Sequence, residues 1–243
     1  GRPSGDFSRT IRDATKQARR AGPKETPARV SSPQMRRRLA CPDLSALGPR
    51  LAALEEEWRG RRLDSDPLLF PHRYGDAADR EVVAFLSSSL AFGRVGSIRA
   101  SLERILAALG PRPAEALRRG PGPLRELEGF VHRWVDSGSL RPFLHAVGAT
   151  LRSEGSLGAL FAAGDEGGPD FVPALDRFFA VLRERASLPL DRQPRGLRFL
   201  LPSPADGSAC KRAHLFLRWT VRAGDHDLGL WQGARFTPAR LLL

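Results

Sequence analysis

Lysine is almost missing from this chain. Of its 39 basic residues only Lys16, Lys24 and Lys211 are lysines; the other 36 are arginine. Asparagine is absent, isoleucine occurs three times and methionine once, while Arg, Ala, Gly, Pro and Leu dominate. That composition fits a GC-rich coding bias, under which Lys drifts to Arg wherever positive charge alone suffices. Lys211 therefore stands out. An amine can lose its proton and act as a nucleophile, and a guanidinium does neither. Chance survival of one lysine is the competing explanation. The only two cysteines, Cys41 and Cys210, are too few for a disulfide framework or a cysteine zinc site. No apolar run approaches the roughly 20 residues that cross a bilayer, and no secretory signal is recognisable. The expectation is a soluble bacterial cytoplasmic protein with no membrane partner, no metal and no small-molecule cofactor.

What is present is a chain of 243 residues, 41% hydrophobic, with a formal net charge of +12. That length carries a real core. The charge is uneven: residues 1–38 hold a net +8 and residues 39–243 a net +4. A basic arm suits nucleic acid or another polyanion, and equally a solvated tail. Residues 1–42 read as a disordered basic arm of Ser, Pro, Gly and Arg. Because the only methionine is Met35, residues 1–34 are not certain to be native. Residues 43–243 read as a helical domain, and the closing Leu241-Leu242-Leu243 run, without a stop signal, reads as a truncated C-terminal end.

Helical spacing begins at Leu44 and continues through Leu47, Leu51, Leu54 and Trp58. Further helices are expected over about 77–92, 97–109, 113–119, 123–136, 139–153 and 171–185, with a Pro- and Arg-rich loop over 187–206 and a last helix over 208–222. No alternating pattern exceeds four or five residues. The fold class is all-α: a helical bundle-like domain, or two helical lobes.

The densest segment for chemistry is 200–219, LLPSPADGSACKRAHLFLRW. Pro202, Pro204 and Gly207 force a tight turn, and Ser208 is a plausible N-cap for the helix after it. Backbone amides at such a helix start bind anions, including DNA phosphates. Lys211, His214, Arg218 and Arg222 share one stripe. Gly207, Ser208, Lys211 and Arg212 are thus the candidate phosphate contacts, joined by Arg73 and Arg94 from a second basic, partly aromatic region around Tyr74 and Phe92-Gly93. Ordinary salt bridging to Asp79 and Glu81 is the alternative for that region. Trp219 and Trp231 are either core or wedges for a base step. Asp225-His226-Asp227 is either a polar turn or a ligand set, and Asp227 is its better functional candidate.

GSACKRAHLFLRWTVR followed by DHDLGLW resembles the signature of an uncharacterised bacterial domain-of-unknown-function family. Asp66-Pro67 to Arg73-Tyr74, Asp79-Arg80-Glu81 and Leu90 to Val95 resemble it too, so the likeness spans roughly residues 44–243. The turn-then-lysine segment also resembles the helix-hairpin-helix element of base-excision DNA glycosylases, although only Gly207 remains of the usual Gly-x-Gly. That resemblance implies Lys211 as a nucleophile on the sugar C1′ of a flipped nucleotide, with a carboxylate in support. The family pattern continues beyond Leu243 into a Pro-Leu-Asp-Thr-His run, which implies that the supporting aspartate lies outside this sequence; Asp227 is the candidate within it. Three functions stay open: a DNA glycosylase or lyase on damaged or abasic DNA, a non-catalytic DNA-binding module, and a helical interaction protein without a nucleic-acid role.

Overall fold

A computed structural model describes residues 47–58, 63, 66–120, 122–224 and 226–241. The expected basic arm over 1–42, the residues around Met35 and Cys41, and Asp225 lie outside the described residues. Ten α-helices are described: α1 (Leu47–Trp58), α2 (Leu69–His72), α3 (Ala77–Ser89), α4 (Val95–Leu109), α5 (Pro113–Arg119), α6 (Ser137–Ser153), α7 (Leu157–Gly164), α8 (Val172–Arg185), α9 (Arg195–Leu200) and α10 (Lys211–Val221). One antiparallel pair, β1 (Val131–His132) and β2 (Val135–Asp136), joins them. The protein is all-α. No described helix is long and apolar enough to cross a membrane.

From Leu51 onward the described residues form one compact unit around one contiguous core. Its centre is α3. Every residue from Glu81 to Ser89 on this helix is buried, as expected for a helix surrounded by others. Phe85 meets Phe143 of α6, Phe178 of α8 and Phe216 of α10, with ring centroids 5.4, 5.8 and 5.1 Å away. Four helices therefore converge on one aromatic cluster. Each such ring contributes about 2–3 kcal/mol of burial free energy.

Asp76 caps α3 by accepting from the amides of Ala78 and Asp79. Asp79 is buried and accepts from Ala114 N at 2.8 Å, which anchors the start of α5. Glu81 is buried deeper and accepts three hydrogen bonds, each of 2.8 Å: from the Leu157 and Gly158 amides at the start of α7 and from the Trp231 indole. Burial pushes its carboxyl pKa up, against the pull of those three donors. Gly158 is obligatory here, since an added Cβ would sit 2.7 Å from Trp231 Nε1. Glu81 thus ties the start, the middle and the end of the unit together. Neither Asp79 nor Glu81 bridges Arg73.

Two expected elements differ. The helix over 123–136 is instead a 3-10 turn (Gly122–Leu127) and the β hairpin. The backbone turns left-handed at Gly129 (φ 67°) and at Arg133 (φ 56°), which no helix tolerates. The Pro- and Arg-rich loop over 187–206 contains α9, entered from Pro194.

Candidate nucleic-acid interface

The segment singled out by the sequence, 200–219, comprises the last residue of helix α9, a turn and most of helix α10. The turn begins after Leu201. Ser203 and the amide of Ala205 both bond to Asp176 of α8, so the turn is tied to the body. A short 3-10 turn spans Pro204–Asp206, and Gly207 reverses the chain at φ 75°. Ser208 does not cap α10. Its hydroxyl accepts from Cys210 N at 3.2 Å, Cys210 itself is left-handed (φ 46°), and the helix starts only at Lys211 with no side-chain cap. The left-handed residue breaks the helix that a Ser208 cap would have started. Cys210 is buried, and burial pushes its thiol pKa up, so it is no candidate thiolate.

Two cavities flank this turn, and Ser208 lines both. The first, of about 590 Å³, is ringed by Arg183, Arg195, Arg198 and Arg212. Asp206 is the one carboxylate among its lining residues, and it is already bound to Arg183 at 2.7 Å. Arg195 and Arg198 lie exposed, one turn apart on α9, and pair with no carboxylate among the described residues. Arg212 is the unusual member. Its guanidinium carbon lies 3.7 Å from the Phe199 ring centroid and 5.0 Å from that of Phe92. It donates to Phe199 O, yet its Nη1 is buried with no partner among the described residues. Burial lowers its pKa from 12.5 to about 10. A cation held this way is short of an anion.

The second cavity, of about 630 Å³, is lined by Lys211, His214 and Arg218 along one face of α10, with Val172 and Leu215 as its apolar side. Lys211 is solvent-exposed at the first helical position. His214 Nδ1 is buried without a partner, and burial lowers that imidazole's pKa.

The remaining candidates are spread out. Gly207 and Ser208 sit at the tip of the turn and are exposed. Asp227 is buried at the far end of α10, its Oδ2 3.4 Å from the Nε atoms of both Arg218 and Arg222. Arg218 alone stands seven residues from Lys211, about 10 Å along the axis. Asp227 therefore does not face Lys211. His72 Nε2 donates to His226 O. Arg73 lies 4.3 Å over the Phe70 ring and pairs with Glu103 at 2.8 Å, away from both cavities. Arg94 is exposed at the start of α4, two residues from Phe92. Trp219 and Trp231 are both buried and belong to the core, not to a wedge.

The sequence pointed to none of Arg183, Arg195, Arg198, Phe199 and Trp134 as site residues. Arg195 and Arg198, three apart behind Pro194, were a legible signal. No spacing rule brings Arg183 of α8 beside α9, or Trp134 against Phe199.

Searches against curated proteins and against solved structures return no match. A family model described as a protein of unknown function (DUF2400) matches residues 66–243, and the chain belongs to that family.

Proposed function

We propose that this protein binds DNA along the turn between α9 and α10, with the sugar-phosphate backbone lying across the tip formed by Gly207 and Ser208. The observation that carries this is the first cavity: four guanidiniums face one carboxylate, and one of the four, half-buried, has a buried donor nitrogen with no partner among the described residues. Phosphates supply charge-assisted acceptors of the geometry that arginine prefers. A labelled duplex followed by anisotropy tests it. Affinity should fall with salt, with a slope of log K against log salt near −3, as expected when about three or four phosphates are neutralised. Binding of neither this duplex nor a single strand of the same length at about 50 mM salt excludes DNA as the partner.

A second reading adds chemistry, and the position of Lys211 at the mouth of the second cavity favours it. The Lys211 amine would attack C1′ of a nucleotide flipped out of the stack. The new C–N bond replaces the glycosidic bond, and the base leaves with the bonding electron pair and a proton. The second amine proton passes to O4′ as the C1′–O4′ bond breaks and C1′=N forms, which opens the sugar ring to a Schiff base; water then hydrolyses that bond, returning the amine and leaving an abasic sugar. No carboxylate lines that cavity among the described residues, so binding is the better supported function. Borohydride trapping on abasic DNA separates the two: a covalent adduct that Lys211→Gln abolishes supports Schiff-base chemistry at Lys211, and no adduct, or one that survives this substitution, removes Lys211 from the chemistry.

A further inference from the structure

The β1–β2 hairpin carries a feature unconnected with Lys211. Its two-residue tip is Arg133-Trp134, and Arg133 holds φ 56°, a conformation that glycine normally supplies in such turns. The strain is held from behind. His132 is buried, donates to Phe92 O at 3.0 Å and accepts from the Ser101 hydroxyl at 2.9 Å. The result is Trp134 pushed into solvent, 47% exposed. It is no isolated surface ring. It stacks on Phe92 with centroids 5.2 Å apart and planes 28° apart, and it meets Phe199 edge-on at 5.0 Å. Phe92 and Phe199 are the two rings that hold Arg212, and Phe199 lines the arginine cavity. An aromatic ledge and a cationic cavity therefore share a wall.

We infer that this ledge takes an unpaired base of DNA, stacked beside Trp134, while the neighbouring phosphate enters the cavity ringed by Arg195, Arg198 and Arg212. The proposal rests on the DNA-binding function above and makes it specific: the preferred ligand is single-stranded or locally unpaired. Duplex DNA buries its base faces and cannot use a ledge. An unstacked base presents a face that any aromatic ring accepts, next to a backbone that needs cations. Arg133, 5.0 Å over the Trp134 ring, is exposed and can give way to a base or pair with the next phosphate.

The test compares the full chain and its Trp134→Ala variant, using fluorescein-labelled twelve-residue oligothymidine and a blunt duplex of the same length. Wild type should bind the single strand about tenfold tighter than the duplex, with quenching of tryptophan fluorescence. Trp134→Ala should lose about tenfold in single-strand affinity and most of the quenching, while duplex affinity changes less than about twofold; these sizes follow from the usual worth of one base-aromatic stack. A second measurement needs no variant. Irradiating wild type on a bromodeoxyuridine oligomer should label the tryptic peptide that begins at Trp134. Equal affinity for both DNAs, unchanged in Trp134→Ala and with labelling elsewhere, overturns the ledge and leaves DNA binding standing. No binding to either DNA overturns both.

Discussion

Replacing Arg212 with methionine separates an anion site from a structural rivet. Burial holds this guanidinium's pKa at about 10 instead of 12.5. At 1.36 kcal/mol per pH unit that is a penalty of about 3 kcal/mol on the cation, and about 2 kcal/mol after allowing for the part of the group that solvent still screens. The sign is that of a depressed cation: the penalty is fully present below pH 10 and fades only as pH rises beyond it, so it is constant across neutral pH. Opposing it are the two ring faces, about 2 kcal/mol for a desolvated cation over aromatic rings, and the bond to Phe199 O, about 1 kcal/mol. The free protein thus gains almost nothing from this charge. Methionine has a similar unbranched length and a sulfur that packs well against rings. The expected change in folding free energy for Arg212→Met is less than about 1.5 kcal/mol, a shift in Tm of about 5 °C or less for a chain of this size.

Binding should respond quite differently. A charged hydrogen bond to phosphate is worth about 1.5–3 kcal/mol, so the affinity for DNA falls about 10- to 100-fold and the salt slope becomes shallower by about one phosphate. The assay is anisotropy across a salt series, beside thermal melts at pH 6, 7 and 8. A drop in Tm of more than about 10 °C with unchanged affinity would mean that the guanidinium holds Phe92 and Phe199 together and binds no anion, and the functional reasoning would fail with it.

Glu81→Gln tests the buried knot: one of the three N–H donors meets an amide NH₂ where it now meets carboxylate oxygen, which costs about 1–3 kcal/mol at pH 7 by chemical denaturation. Since burial raises the wild-type pKa, the Glu81 contribution is largest below the ordinary glutamate range and declines as pH rises through the shifted value, so the gap to the variant should widen on acidification; a gap independent of pH contradicts the shift. Gly196→Ala tests how α9 supports the hairpin: the new Cβ would sit 2.8 Å from Ser139 Cβ and 3.0 Å from Trp134 O. We expect a loss of about 1–3 kcal/mol from overpacking and weaker single-strand binding, and an unchanged melt would show that the two elements can move apart.

The helices were legible where one apolar face repeats and the ends carry stop signals. Val172, Leu175, Phe178, Phe179 and Leu182 predict α8 to within a residue, and Gly110 ends α4 after Leu109 as expected. The hairpin was not legible, because Leu124, Leu127, Val131 and Trp134 also fall at helical spacing. What excludes the helix is the left-handed backbone at Gly129 and Arg133, and an arginine does not advertise positive φ. The site divides the same way. Lys211 and the turn before it were visible as local chemistry. The arginine cavity was not, because its members come from α8, α9 and α10 and meet only through packing on Asp176, Phe199 and Phe92. The idea of Asp227 facing Lys211 depended on a turn folding back along α10, whereas the segment after α10 crosses the helix end, with Leu228 N and Gly229 N donating to Trp219 O.

Net charge is a poor guide to where unpaired cations gather. Residues 39–243 carry only a net +4, which by itself suggests no polyanion. The arginines divide into two kinds, however. Arg240 grips Asp165 with two hydrogen bonds of 2.6 and 2.7 Å, Arg185 pairs with Glu154, Arg177 with Glu166 and Arg222 with Asp227. These pairs cancel in the total and fasten loops to helices. Arg195, Arg198 and Arg212 have no such carboxylate among the described residues and stand around one cavity. Cations left together repel one another, and the half-buried Arg212 also loses hydration. Folding alone gives no reason to collect them there. A ligand that brings its own negative charge does, and a phosphodiester beside a base-sized aromatic ledge matches both halves of the surface.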